Sequence, residues 1–323
     1  MAIFGRRFAI DRLSHQVLDE NAWFCDLLRY WRPSGGPIDR ETIPKHLRLT
    51  IRNGYLNFYR MGQSIAKVDF DHSKKLRATI HNKYIYGTDG KGQRYVTVTS
   101  AGVPELTGRR VPYDRARHLD DWILKAEEYA SEEKRFVNTL VSRNPNVIDL
   151  EMGLPAYSDV GEERRAPRMD LVNFEPTGHG WRVVFWEVKR VQDGRARCSG
   201  PAIANHKPKV LKQFGAYTDW LQHDGNCTRV ALAYQKGCRL IVGFHAIAER
   251  LNLGIGRLGP GILAVAAPEA PLPEIDPKPR LLIDDIPSDD SFRRHGHLDK
   301  LRQAGLYVQI VEDGDPMTLE TRT

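Results

Sequence analysis

Asp170, Glu187 and Lys189 are the residues whose types and spacing point most directly to chemistry. They sit in two apolar runs, 168–172 and 181–190, separated by the turn-forming Glu175-Pro176-Thr177-Gly178-His179-Gly180. The second run is apolar on both faces until Glu187, which marks it as a central strand. Residues two apart in a strand point the same way, so Glu187 and Lys189 share a face. Asp170 reaches the same patch if the two runs pair as a hairpin. Two carboxylates and an ammonium at the end of a buried strand are costly, and a divalent metal ion would account for them. The bland alternative is a surface hairpin with an ordinary ion pair, and these three residues alone do not decide between the two.

The arrangement resembles the core of the PD-(D/E)XK nuclease superfamily, on the strength of Asp170 followed, after a short hairpin, by Glu187-Val188-Lys189. The resemblance implies that Asp170 and Glu187 hold a magnesium ion and that Lys189 activates or orients the attacking water. The chain departs from the strict pattern where Arg168-Met169 precede the aspartate, a place where a proline can stand. An E-x-K triplet by itself is common. Glu132-Glu133-Lys134 is a second cluster of this kind, but it lies in a helical pattern, where residues two apart diverge by about 200° and cannot form the same site.

Other elements must position these residues. A single long helix is expected over 115–143, after Pro112-Tyr113-Asp114 and before Asn144-Pro145. At about 100° per residue, Leu119, Trp122, Ile123, Ala126, Tyr129, Ala130, Phe136, Val137, Leu140 and Val141 form one stripe, with Glu133 near its middle. A carboxylate there needs a partner. Members of the superfamily often place an acidic residue on the helix before the first core strand, near the metal, so the resemblance assigns that role to Glu133; a solvated glutamate at the stripe's edge is the equal alternative. A strand is expected at 147–152, a charged loop at 159–168 and a helix at 207–221. On that helix Gln213 and Tyr217 are four apart, hence neighbours. The layout from Glu133 through Asn144-Pro145 and Asp170 to Glu187-x-Lys189 is similar to Shedu-type and RecB-like nucleases, and Q-x-x-x-Y after the E-x-K strand resembles a feature of RecB-like nucleases, where it supports the site and contacts the nucleic-acid backbone. Lys207, Lys209 and Lys212 on the same helix are candidates for phosphate contacts. The comparison covers roughly 130–222, under a third of the chain.

Composition bounds the rest. The 323 residues include 41% hydrophobic and 28% charged, ordinary values for a soluble globular protein. No apolar run is long enough to span a membrane, and the N-terminus lacks a signal-peptide core. The four cysteines form no C-x-x-C pair, which suits a reducing cytoplasm. The net charge is +7, and the excess is local: 1–114 carries 19 Lys/Arg against 11 Asp/Glu, and 161–212 carries 11 against 6. A polyanion partner follows from that distribution.

Residues 8–31 read as a short helical lead, and 40–114 as an antiparallel meander with a type I′ turn expected at Asn53-Gly54. The meander's aromatic and basic residues, among them Tyr55, Phe58, Tyr59, Arg60, Lys83, Tyr84 and Tyr86, either form a surface for bases and phosphates or serve as its core; the core is favoured. Downstream, 229–251 reads as a second long helix, 254–279 as a loop, 280–283 as a strand, 291–303 as a helix and 306–311 as a strand extending the core sheet. His295 and His297 read as surface residues.

The expected fold is α/β (α+β): a mixed central sheet flanked by helices with a restriction-endonuclease-like core, 115–323, behind a small N-terminal antiparallel β-rich domain, 1–114. The expected function is Mg- (or Mn-) dependent phosphodiester hydrolysis of DNA in the cytoplasm, in phage defence or DNA repair. Asp170, Glu187 and Glu133 are the metal residues, Lys189 is catalytic, and Gln213 and Tyr217 support the site. DNA is the expected partner, a membrane is not, and homo-oligomerisation stays open. The alternatives are a nucleic-acid-binding protein of this fold without catalysis and an RNA-processing nuclease.

Overall fold

The computed structural model describes residues 4–35, 45–87, 94–155, 157–159, 162–164, 168–197, 208–223 and 225–322. After a 3-10 turn (Ile10–Arg12) come α1 (His15–Glu20) and α2 (Ala22–Tyr30), the helical lead read from the sequence. The meander is then β1 (Arg48–Ile51), β2 (Leu56–Arg60), β3 (Gln63–Phe70), β4 (Leu76–His81), the helix α3 (Asn82–Tyr86) and β5 (Tyr95–Val98), all antiparallel neighbours in chain order. The expected loop at 88–92 lies outside the described residues. Asn53-Gly54 does turn the chain, but only Gly54 takes a positive φ (92°), so the turn is not type I′. Met61 (44°) and Gly62 (71°) adopt that pair of conformations instead. Leu56, Phe58, Val68, Ala78, Ile80 and Val98 alternate with polar residues and are buried, which makes this sheet apolar on one face and polar on the other. Two short strands, β6 (Val103–Pro104) and β7 (Arg110–Val111), follow.

The long helix expected over 115–143 is broken. A π-helical turn (Arg115–Leu119) leads into α4 (Asp120–Glu128); the chain then leaves the helix, and Ser131 caps α5 (Glu132–Arg143) by accepting from the Lys134 N–H. A serine at that position favours a fresh start over continuation. Next come β8 (Val147–Gly153), a separate two-stranded hairpin of β9 (Tyr157–Asp159) and β10 (Glu162–Arg164), then β11 (Arg168–Thr177) and β12 (Gly180–Arg190). Then come α6 (Lys209–Gln222) and α7 (Asn226–Arg250). The segment read as a loop, 254–279, contains α8 (Pro260–Ala266) and β13 (Glu274–Ile275); Pro260 at the first helical position is a start signal that the Gly-Pro-Ala composition hid. β14 (Arg280–Asp284), α9 (Asp290–Arg294), α10 (His297–Gln303) and β15 (Tyr307–Val311) complete the chain. The single helix expected at 291–303 is therefore two, parted at Gly296 (φ 66°). His297 is buried against Phe292 rather than exposed.

The larger sheet has the order β15-β14-β12-β11-β8, with β13 also pairing β12. β8, β11 and β12 are antiparallel, while β12, β14 and β15 are parallel. This is a mixed α/β fold with helices on both faces. Val172, Phe174, Val183 and Phe185 pack with Phe214, Tyr217, Val230 and Tyr234 of α6 and α7. Leu171, Val184, Trp186 and Val188 pack on the opposite side with Val137, Leu140 and Val141 of α5. Each such fully buried side chain contributes about 1.5–3 kcal/mol.

The first and larger cluster also takes in Phe24, Phe58 and Ile80, so buried residues of 1–114 and 115–323 share one core. Asp149 on β8 ties the parts together: Arg6 Nη2 lies 2.5 Å from its Oδ2, Arg52 pairs with Oδ1, and the Tyr234 hydroxyl donates to Oδ2 at 3.2 Å. Among the described residues no helix is long and apolar enough to cross a membrane.

Candidate active site

The site lies where β11 and β12 part. Their ladder runs from Thr177↔Gly180 to Leu171↔Trp186, and beyond it β12 pairs with β14 through Glu187↔Leu281 and Lys189↔Ile283. Asp170 stands outside the ladders to β8 and β12. Its side chain replaces one lost bond, since Val188 N–H donates to Asp170 Oδ2 at 2.9 Å. That bond fixes the aspartate beside Glu187 and Lys189, which point the same way from β12.

Lys189 is 1% exposed and sits among carboxylates. Its Nζ lies 2.5 Å from Glu187 Oε1, 3.7 Å from Asp170 Oδ2 and 3.8 Å from Glu133 Oε2, and donates to Val188 O at 2.6 Å. The hairpin thus brings Asp170, Glu187 and Lys189 together, and α5 adds Glu133 from the other side of the sheet. Glu133 arrives there although the helix that was to carry it is interrupted two residues earlier.

Glu187 sits where its charge is poorly supported. Its Oε1 is held by Lys189, while Oε2 is buried with no hydrogen-bond partner. Burial first, and then the charge of Asp170, push its pKa up to about 7 against the pull of Lys189 and, more weakly, of the Gln213 side chain. Burial also raises the Glu133 carboxyl, with Lys189 opposing. Thr50, Asn173 and Thr177 also bury a side-chain oxygen without a partner, but among these only Glu187 is ionisable, where the cost is greatest.

Lys134, Glu151 and Arg195 join the site although the sequence did not single them out for it. Lys134 Nζ lies 2.9 Å from Asp170 Oδ1 and also contacts Glu151 Oε1. Burial disfavours its charge, but Asp170 and then Glu151 outweigh burial and raise its pKa. Glu151 lies opposite Asp170 on β8 and has a φ of 51°, a conformation that costs a non-glycine residue about 1–3 kcal/mol. Arg195 pairs with Asp193 at 2.5 Å and lies 3.6 Å from Glu133 Oε2. The only advance signal for Lys134 was its place next to Glu133. For Glu151 it was a charge inside an apolar strand.

Gln213 and Tyr217 brace the strands that carry the aspartate. Gln213 Nε2 donates to Arg168 O at 2.9 Å, at the start of β11. The Tyr217 hydroxyl donates to Met152 O at 2.7 Å on β8. Tyr217 is fully buried, so its hydroxyl is committed to bracing. Lys209 and Lys212 are exposed on α6, while Lys207 lies outside the described residues.

The donor set suits a hard cation: carboxylate oxygens, one of them buried and unsatisfied. Among the described residues no three His, Cys, Asp or Glu side chains converge into a closed ligand set. Magnesium does not need one, because it keeps several waters and binds through one or two carboxylates and substrate phosphates. Asp170 and Glu187 fit that use, and Glu133 stands behind Lys189. Comparison with protein-family models, curated proteins and solved structures finds no match to the chain.

Proposed function

We propose that the chain is a metal-dependent nuclease of the PD-(D/E)XK type that hydrolyses phosphodiester bonds, with DNA as substrate. The observation that carries this reading is the buried, partnerless Glu187 Oε2, set beside Asp170 and around the Lys189 ammonium. In a purely structural ion pair a buried carboxylate oxygen without a partner is a cost that a bound cation would offset. The strand order β8-β11-β12-β14-β15, with α5 before it and α6 after β12, accords with a restriction-endonuclease-like core. The resemblance further suggests a setting in phage defence or DNA repair.

In this reading Asp170 and Glu187 hold the magnesium ion, with Glu133 as a further acidic neighbour. Bound there, magnesium would acidify a coordinated water and offset charge growing on the phosphate. Lys189 orients the attacking water or donates to the developing charge from its fixed position between the carboxylates. The Val188 N–H keeps Asp170 in place without a proton change. Gln213 and Tyr217 keep β8 and β11 from shifting, since a displacement of about 1 Å at such a site costs roughly a hundredfold in rate.

The test is Mg²⁺-dependent cleavage of supercoiled plasmid, linear duplex, single-stranded DNA and RNA by wild type, Asp170→Ala and Lys189→Ala, with circular dichroism to confirm folding. Cleavage that disappears with chelator and in both folded variants supports the reading, and the preferred substrate separates DNA from RNA. Equal cleavage by wild type and variants would sink it.

A further inference from the structure

The polar face of the five-stranded sheet faces a groove of about 450 Å³. Its floor follows the ladder: Asn57 pairs with Lys67 and Lys67 with Thr79, while His81 pairs with Tyr95. These side chains share the face opposite Phe58, Val68, Ala78 and Ile80, which are buried in the core. At its far wall are Glu151, Gly153 and Arg168, from the two strands that flank the candidate active site.

We propose that this groove binds single-stranded nucleic acid and leads it to the Asp170–Glu187 end of the larger sheet. The proposal rests on the nuclease reading and adds a substrate class to it. Three observations carry it. The first is charge: the lining holds Arg52, Lys67, Lys83 and Arg168 against Glu151 alone. Arg52 is matched by Asp149, and the remaining excess is still positive. The second is aromatic surface. Tyr95 is 49% exposed, and the half-buried Tyr55 lies 5.3 Å beneath the Lys67 ammonium. Rings interleaved with cations along a groove suit unpaired bases that stack while the backbone meets positive charge. A duplex hides its base faces and cannot use them.

The third observation is continuity. Arg168 is two residues from Asp170, so the two project from the same face of β11. Glu151 lines the groove and shares Lys134 with Asp170. The Met61-Gly62 turn closes the distance from the sheet side: a Cβ on Gly62 would lie 2.6 Å from Lys134 Cδ. Through Arg168, Glu151 and Lys134 the wall of the groove adjoins the site.

The experiment uses the full chain in chelator, so that binding is read without cleavage. Anisotropy of a fluorescein-labelled oligothymidylate of about 20 nucleotides is compared with a duplex of equal length, for wild type, Tyr95→Ala, Lys67→Glu and the remote control Lys278→Glu. Wild type is expected to prefer the single strand by about tenfold or more, Tyr95→Ala to weaken it about fivefold or more, and Lys67→Glu to flatten the log Kd against log salt slope by about 0.7. The control should match wild type. Tyr95→Ala and Lys67→Glu binding as wild type does, or a duplex preference in wild type, would overturn the proposal. The same proteins are then assayed with Mg²⁺. Groove-dependent binding without cleavage by any of them upholds the groove and removes the nuclease reading. Undiminished cleavage and binding in both groove variants leaves the nuclease reading and removes the groove.

Discussion

Lys134 holds Asp170 and Glu151 side by side: its Nζ lies 2.9 Å from Asp170 Oδ1 and also contacts Glu151 Oε1. The ammonium therefore occupies one of the oxygens that a divalent ion would use. Replacing Lys134 with methionine keeps the side-chain length and removes the competitor. Apparent Mg²⁺ affinity is expected to tighten by about 1 kcal/mol, roughly fivefold, a discounted value because Lys134 is partly exposed. Calorimetric titration of both proteins measures it. Equal or weaker binding by the variant would mean that Lys134 organises the carboxylates rather than competing for them.

Lys189 is the counter-charge for Glu187, and both are almost fully buried. Lys189→Met should cost about 3–5 kcal/mol, because it strands carboxylates in a poorly solvated place. Adding Glu187→Gln should return part of that loss, so that the two substitutions couple by about 1 kcal/mol or more. Urea melts of the four proteins in the cycle read this directly. Strict additivity would show that the pair is electrostatically idle in the folded state.

The hairpin geometry was legible in the sequence because strand periodicity alone sets which residues share a face. Glu187 and Lys189 needed nothing more, and Asp170 needed only the turn at 175–180. Glu133 was placed by its helical phase with the stripe on a continuous helix. The helix is interrupted at 129–131, yet Glu133 lies in its own amphipathic segment, so the local phase survived. Glu151 showed in the sequence only as a charge inside an apolar strand, and its role was not legible. Its role depends on a positive φ and on β8 pairing with a strand about twenty residues on, and neither leaves a mark in local pattern. The short helix α8 was hidden by composition: Gly, Pro and Ala read as loop until Pro260 is recognised as a helix start.

Asp149 joins the N-terminal segment to the larger sheet. Burial alone would raise its pKa, but Arg52 and Arg6 outweigh burial and lower it below the ordinary 3.8. Asp149→Asn leaves both guanidinium groups without their anion and should cost about 3–5 kcal/mol. Because the folded pKa is depressed, this contribution is present above pH 3.8 and fades as pH falls through the folded value. Wild type should unfold in one transition, as a shared core requires. A variant that melts in two steps would show that the carboxylate is what couples the two parts. An unchanged melt would show that the clamp adds nothing.

His46 offers a pH signature that is independent of any substrate. It is 4% exposed; burial first, and then Arg48 and Arg60, pull its pKa down from 6.5 to about 2. Arg60 Nη1 donates to its Nδ1 at 2.9 Å, so the ring is neutral there and accepts. The folded state resists protonation and the unfolded chain does not. The associated stability is therefore present above pH 6.5 and is lost as pH falls from 6.5 toward 2. At pH 5 the loss is about 2 kcal/mol. Glu187 and Asp284, raised to about 7 and about 6, run the other way, since each prefers its proton in the folded state. The readout is therefore the difference between wild type and His46→Gln, which keeps an acceptor for Arg60. That difference should shrink by about 2 kcal/mol between pH 7 and pH 5 in urea melts, and a constant difference would show that His46 takes up a proton in the folded protein.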